Sequence, residues 1–583
     1  VSNVTGQDKP KGGIAGFSIG LGKESPSASP VVPPPPFRVL IAGDFGLAPG
    51  SPAFNVTGKD VAEILEPNRS TFVVTAANLL GSDPAELVEE ISFQRLKDIQ
   101  PTAIHGRFGF ARDLAAAGDD AAALRAHGTR YDKVADAHYA AGGAAENPLT
   151  SRGIPSYDEP KSVKDDGNGL DMLASMINAP GDKQQPKPTD SGSIAKSAID
   201  AFIQKTLNEV GNTSTPAAPP KQDTAANGLG AAQARLFFET GKLKTVLANW
   251  HGLNFLLSEI PFDLPLELHL LQLDHDLDAV ALGEVLGGYD GALQAELYDV
   301  VLFANQTGIT GAGADRLKAL ADDCAEADTV GLIALDPEFA GIAGEDLATL
   351  DTAHQLLERP DFEDFDGLRE SEAAAYLALF WNEARLAPEE DGVPALHASG
   401  PWIALAEILT QTETEAFPHL PVGVPVDFDA LEVTETRSMG RSAATAARFL
   451  AGHGTATSLA QCGINVLEGV PNRTELLFRH GVTARPGKEG RGSLDQALLI
   501  SRLFSLFQET LGGAVVAEQE AEEREEAVRN NLERLSASLS GQVAFDVKRI
   551  AAGDQDLIGV TAIVRGGWAN GQQHSFYLPA SGG

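Results

Sequence analysis

At 583 residues the chain is long enough for three or four domains of roughly 150 residues each, and an apolar fraction of 43% supplies real cores and excludes wholesale disorder. Forty-four Lys and Arg against 81 Asp and Glu leave a net charge of −37 (44 − 81), which argues against nucleic acid or an anionic membrane surface as the main partner and for a neutral or basic one. Two cysteines, Cys324 and Cys462, allow at most one disulfide and no four-cysteine zinc site; the absence of a secretory h-region at the start and of any apolar run of about 18 residues points to a cytoplasmic chain without direct membrane insertion.

Residues 1–36 are Gly-, Ser- and Pro-rich and close on Pro33 to Pro36, which reads as a flexible N-terminal arm of extended polyproline character. Within it Ile14, Phe17, Ile19 and Leu21 stand among glycines, a short apolar segment that could become a strand on an accepting sheet edge. A first α/β portion follows over residues 37–130. Its strands are expected at 37–43, 71–75 and 89–93, with a short helix at 61–66 stopped by Pro67 and a helical end that starts at Pro101 and runs through Phe108, Phe110 and Leu114. Residues 131–230 are polar and rich in Pro and Ser, a linker expected to carry two small amphipathic helices at 170–177 and 194–203.

The second α/β portion, 231–540, opens with apolar positions from Leu236 to Leu257 at helical spacing. Strands at 264–273, 297–303 and 329–335 alternate with helices, the pattern of a doubly wound, mostly parallel sheet. Further helices are expected at 373–385, 402–410, 442–451 and 494–512, and an acidic helix at 518–539. The end, 541–583, alternates like antiparallel strands, with Val543, Phe545 and Val547 on one run and Ile558, Val560 and Ile563 on the next.

Several short patterns suggest chemistry and fail in context. Asp44-Phe45-Gly46 spells a kinase magnesium triplet, yet a short arm and one strand leave no room upstream for a Gly-rich loop and strand lysine, so it reads as a strand-end turn. Arg485 to Gly492 resembles a phosphate loop but has Val482 where Gly is needed and Glu489 where Ser or Thr is needed. Gly16-Phe17-Ser18-Ile19-Gly20 matches a nucleophile elbow without the flanking strand and helix, and Cys462 near His453 reads as a structural thiol. The densest ligand-like cluster, Glu267, His269, Asp274, His275, Asp276 and Asp278, would suit zinc or manganese, and a metal-dependent α/β enzyme using His269, Asp274 and His275 is the rival reading from another class. No cofactor and no catalytic residue are otherwise expected.

The order of segments is similar to something specific. Arg38 to Phe45, ending in Gly43-Asp44-Phe45, and then Phe93, Leu96, Asp98 and Pro101 in a Phe-x-x-Leu-x-Asp-x-x-Pro box resemble the small sheath subunit of bacterial type VI secretion systems, with Ile99 in place of the usual aromatic. Past the linker, Trp250, Gly252 and Leu253 resemble the large sheath subunit's Trp-Arg-Gly-Leu helix, with His251 where the family has Arg. Arg369, Ser371 and Tyr376 resemble its Phe-Arg-x-Ser-x-x-Ala-x-Tyr segment, with Leu368 in place of the Phe; 431–437 and 501–504 resemble later boxes in degraded form.

This resemblance implies a structural protein and not an enzyme: small and large sheath subunits fused in one chain, two sheath-type α/β portions joined by a long linker, with terminal strands shared between subunits. Such a chain polymerises with itself in six-fold rings or a helix around an inner tube protein, meets baseplate components, contracts to drive the tube through a target membrane, and in part of the family is recycled by an AAA+ ATPase. The implied location is the bacterial cytoplasm, within a membrane-docked machine; a sheath of a phage-tail-like or extracellular particle is the alternative. Ile14 to Leu21 is the expected exchanged strand, with 543–547 and 558–564 in the accepting sheet.

Overall fold

The computed structural model describes residues 35–79, 86–111, 232–261, 264–273, 282, 285–286, 297–389, 394–415, 417–438, 441–487, 492–511, 521–552 and 555–580. The expected exchange strand with Ile14, Phe17, Ile19 and Leu21, the linker with its two helices, Leu114, and Asp274, His275, Asp276 and Asp278 lie outside these residues. In chain order the strands are β1 (Phe37–Gly43), β2 (Phe54–Asn55), β3 (Ser70–Ala77), β4 (Glu86–Phe93), β5 (Leu266–Gln272), β6 (Val300–Thr307), β7 (Val330–Leu335), β8 (Leu377–Trp381), β9 (Glu383–Ala387), β10 (Leu396–Ser399), β11 (Thr434–Ser438), β12 (Arg441–Thr445), β13 (Ile464–Gly469), β14 (Leu476–Phe478), β15 (Val543–Ala552), β16 (Gln555–Val564) and β17 (Gln573–Pro579).

Eight of them form one sheet in the order β14-β13-β8-β7-β6-β1-β5-β2. The inner six are parallel, and both edge strands, β14 and β2, run antiparallel to their neighbours. β1 shows why the order takes this form. Val39, Leu40, Ile41 and Ala42 are all fully buried, so the strand needs cover on both faces and partners on both edges. It pairs with β5 on one side and β6 on the other. Successive residues point to opposite faces: Val39 and Ile41 join a core beneath the Gly241–Glu259 and Gly400–Glu415 helices, whereas Leu40 and Ala42 join one beneath the Ala312–Glu326 and His453–Ala460 helices. The stretches before and after the linker therefore build one sheet together.

The C-terminal strands form a separate antiparallel sheet, β15-β16-β17. It packs on the acidic helix Ala521–Ser538, through Val528 and Leu532, and on the end of the Leu494–Leu511 helix, through Leu506 and Phe507. Phe507 stacks on Phe576 with ring centroids 5.1 Å apart.

Four expectations are corrected. The stretch expected as a helix at 373–385 is a 3-10 turn (Ala373–Tyr376) followed by β8 and β9. Its Ala and Leu content favours helix locally, but all five residues of β8 are buried between β7 and β13, and tertiary burial decides. Asn382, at φ +80°, breaks the chain between the two strands. Likewise 442–451 is not helical: β12 pairs with β11, and the chain after it lies against β9 through Arg385 N–H to Ala446 O at 2.7 Å. Pro67 does not stop its helix, which runs Val61–Asn68; in the last turn the Asn68 side chain caps Ile64 O at 2.7 Å. The long helix spans Gly241–Glu259, leaving Leu236 in a separate helical turn ahead of it.

One buried ion pair holds the backbone just ahead of β1. Asp299, just before β6, accepts from Arg38 N–H (2.7 Å), from Arg502 (3.0 Å) and from the Ser505 hydroxyl. Burial pushes its carboxyl pKa up, and Arg502, Ser505 and Arg38 pull against that shift. Arg502 also donates to the carbonyls of Pro35 (2.7 Å) and Pro36 (2.8 Å) and lies over the Phe37 ring. Replacing Arg502 by Met leaves Asp299 as a buried carboxylate without its cation. The expected loss is about 3–5 kcal/mol of stability, read as a lower urea midpoint at neutral pH; an unchanged midpoint would refute the anchoring role.

Candidate assembly surfaces and the switch-point cluster

From β1 the chain passes to β5 on one side and then crosses to β6 on the other, so the strand order reverses between β1 and β6. In open α/β sheets this reversal opens a crevice at the carboxyl ends of the strands. Gly43, Asp44 and Phe45 occupy it. An added Cβ at Gly43 would meet Ala304 Cβ at 2.8 Å, so the turn needs glycine for space. Asp44 is fully buried; its N–H donates to Asn305 Oδ1 (2.8 Å), its carboxylate accepts from Gly46 N–H (2.9 Å) and from Gln272 Nε2 (3.0 Å), and Lys242 Nζ stands 3.2 Å from its other oxygen. The carboxylate thus staples a turn. Asn249 Nδ2 donates to Asp44 O, Trp250 Nε1 donates to Phe45 O, both at 2.9 Å, and the Phe45 and Trp250 rings meet edge-to-face at 5.1 Å. Two motifs roughly 200 positions apart in sequence are therefore one contact.

The remaining motif residues divide between two places. Phe93 is fully buried, and Asp98, nearly so, accepts from the N–H groups of Gln94 and Arg95 at 3.0 Å and pairs with Arg107. Leu96 packs against the same core as Phe93 and Leu253, and Pro101 opens the short helix Pro101–Ile104. His251 Nε2 lies 2.7 Å from Ile99 O, which ties this box to the Trp250 helix. Gly252 is where the Gly400–Glu415 helix comes closest: a Cβ there would fall 2.5 Å from the Trp402 ring. Arg369, Ser371 and Tyr376 lie under the opposite face of the sheet, where Arg369 bonds Asp366 (2.9 Å) and Gln461 O (3.1 Å), Ser371 Oγ accepts from Ala374 N–H (3.2 Å) and the Tyr376 hydroxyl donates to Asp328 (3.0 Å).

In the C-terminal sheet β16 is central, with both edges occupied, so Ile558, Val560 and Ile563 cannot pair directly with an incoming strand. Arg565 N–H to Gln542 O sets the ladder phase, which turns the backbone groups of Val543, Phe545 and Val547 away from β16. Two of those outward carbonyls are taken by the acidic helix: Ser536 Oγ donates to Val543 O (2.6 Å) and Arg529 to Val547 O (3.1 Å). On the far side, Ala580 N–H to Asp556 O sets the phase of β17 and turns the backbone of Gln573, Ser575 and Tyr577 outward. These groups bond no described residue, and Tyr577 is 62% exposed.

The rival metal reading loses its first residues to other partners. Glu267 is paired with Arg38 at 2.7 Å, and His269 Nδ1 is 2.8 Å from the Tyr298 hydroxyl. Among the described residues no group of three or more His, Cys, Asp and Glu side chains could hold a metal. Cys324 and Cys462 are buried free thiols, and burial pushes both pKa values up, away from nucleophilic use. No helix among the described residues is long and apolar enough to cross a membrane.

A polar cluster that sequence reasoning missed lies just past β8. Glu383 is buried and pairs with Arg448 and with Gln306 Nε2. Burial alone would raise its pKa, but Arg448, with His397 and Lys244, outweighs that and holds it down at about 2. Its only sequence signal was a charged residue inside an apolar stretch.

No family model matches this chain, and no curated protein matches it. Among solved structures, a chain of the anti-feeding prophage baseplate is similar at 12% identity, with a TM-score of 0.29 over 51% of this chain and 69% of that one. A sheath tail protein from Listeria innocua is similar at 12% identity, with a TM-score of 0.30 over 52% of this chain and 60% of that one.

His397 supplies a pH test. Burial lowers its pKa to about 3, opposed by Glu383 and assisted by Arg448, Arg385 and Lys244. A folded-state pKa below the unfolded value of about 6.5 means that the unfolded chain takes up the proton first. Stability contributed by the neutral ring is therefore present above about pH 6.5 and lost progressively as pH falls toward 3. His397→Gln should flatten the thermal-midpoint profile between pH 6.5 and 4 relative to the parent; parallel profiles would exclude a buried neutral imidazole.

Proposed function

We propose that this chain is a fused sheath subunit of a type VI-like contractile injection machine, polymerising with itself around an inner tube. The observation that carries the reading is the contact between Gly43-Asp44-Phe45 and Asn249-Trp250. The first motif resembles the small sheath subunit and the second the large one, and here the turn after β1 is held by the helix that carries the second. Fusion suits that arrangement, since a tether raises the effective concentration of the two halves and fixes their ratio at one to one.

Strand lending between copies is the proposed grip. The 36-residue arm can span at most roughly 120–130 Å. It is rooted at Arg502, on the same Leu494–Leu511 helix that supports the C-terminal sheet. Ile14 to Leu21 of one copy would add to the outer edge of β17 of another, with main-chain hydrogen bonds at Gln573, Ser575 and Tyr577. The inner tube protein, baseplate components and a recycling AAA+ ATPase are the partners of this reading, and contraction is a cooperative change in how subunits pack.

Negative-stain microscopy of the purified full chain should show tubes or stacked rings. Deleting residues 1–21, or changing Ser575 to Pro, should abolish them while leaving the circular dichroism spectrum and the melting temperature of the protomer unchanged, because an edge N–H facing solvent can be given up locally. Filaments that persist in both variants would overturn strand lending at this edge, and a full chain that stays monomeric under assembling conditions would overturn the sheath reading itself.

A further inference from the structure

A small polar cavity lies on the β6 side of the switch point, with Asn249 in its wall. Its volume is about 50 Å3, and it opens between the Gly241–Glu259 helix, the end of β6 and the β9–β10 hairpin, with Lys244, Asn249, Gln306, Glu383, His397 and Ser399 in its wall. A single water needs about 10–15 Å3 and a drug-sized ligand about 300–1,000 Å3. The cavity therefore admits a group of a few heavy atoms and excludes a nucleotide.

Its wall is rich in uncommitted donors. Antiparallel pairing sets Glu383 opposite Ser399 and Arg385 opposite His397, which places all four on one face of the hairpin. Ser399 is 6% exposed, yet its hydroxyl has no partner among the described residues; nor does His397 Nε2. Glu383 is already engaged by Arg448 and Gln306. Lys244, exposed at the mouth, makes no ion pair with a described residue. Arg448 is paired with Glu383 and stands near Asp336 and Glu338 as well, so the cation left for an anion at this mouth is Lys244. Buried donors without acceptors cost stability, and an acceptor held between them would satisfy several at once.

We propose that this cavity binds one small oxyanion of the size of phosphate or sulfate, held by Lys244 Nζ, Ser399 Oγ and the Nε2–H tautomer of His397. Bound there, the ion bridges the β9–β10 hairpin to the Gly241–Glu259 helix directly behind Asn249 and Trp250. The site thus braces the contact between the two halves from the side opposite Phe45.

The test is direct binding of inorganic phosphate, and separately of sulfate, to the full chain by equilibrium dialysis and calorimetry at constant ionic strength in chloride. Saturable binding of one ion per chain is expected. Ser399→Ala and Lys244→Gln should each weaken it about tenfold or more, the effect of losing one charge-assisted or buried hydrogen bond. Lys548→Gln, on the exposed C-terminal sheet, should leave it unchanged. Ser399→Ala removes one atom and Lys244 is exposed, so both variants should retain the parent circular dichroism spectrum. Absence of saturable binding at millimolar concentrations, or binding that survives both changes, would overturn the site and leave an adventitious ion only.

Discussion

The structure depends on β1 being buried on both faces and both edges. Complete burial of a Val, Leu or Ile side chain is worth about 1.5–3 kcal/mol, and Val39, Leu40 and Ile41 are all completely buried. No two-stranded edge could do that for them. Only the slot between β5 and β6 does, and filling it commits the first part of the chain to the sheet of the second. The position of the switch point, the turn at Asp44 and the place of Pro35 and Pro36 beside Arg502 all follow from this insertion. So does the ion pair beneath it: a strand inserted in a sheet must leave an end, and Asp299 with Arg502 binds the backbone of that end.

Much of the architecture was legible because local pattern and tertiary environment agree. The runs that became β5, β6 and β7 are apolar and bounded by turn residues, and the alternating C-terminal run became a three-stranded meander. Where the two disagree, the sequence misleads. Leu377-Ala378-Leu379-Phe380-Trp381 has good helix formers and no alternation, because a strand with sheet neighbours on both sides and cores on both faces has no polar face to show. Ile464–Gly469 went unread for a related reason: it is short, fully buried and contains Asn465, which looks like a loop residue until its side chain is seen bonding Leu379 O and Val482 O.

The functional cluster was legible only in pieces. Gly43-Asp44-Phe45 reads correctly as a strand-end turn, but what holds Asp44 comes from Gln272 and Lys242, about 200 residues away. Two of the departures from the sheath-subunit pattern that the sequence resembles, Ile99 and His251, prove to be neighbours, the imidazole bonding the Ile99 carbonyl at 2.7 Å. An arginine in that place would bring a charge into a site where His251 is only 8% exposed and burial lowers its pKa. A neutral ring bonded to a backbone carbonyl avoids that desolvation.

The two edges of the C-terminal sheet differ, and under the proposed strand lending that difference would give assembly a direction. An open edge is an aggregation hazard, and natural sheets cover or break those they do not use. At β15 the acidic helix does the covering, since Arg529 and Ser536 occupy the carbonyls an added strand would need. At β17 no such cover exists among the described residues; the protection there is local, through Pro579 at an outward-facing position where it removes a donor at the strand's end. One edge closed from within and one left with a limited set of free groups allows a single strand to dock in a single register. An assembly extended by such links can keep its connections while the larger eight-stranded bodies turn against one another. That separation would require the lending sheet of the proposal to be distinct from the eight-stranded one, and the β15-β16-β17 sheet is a separate sheet.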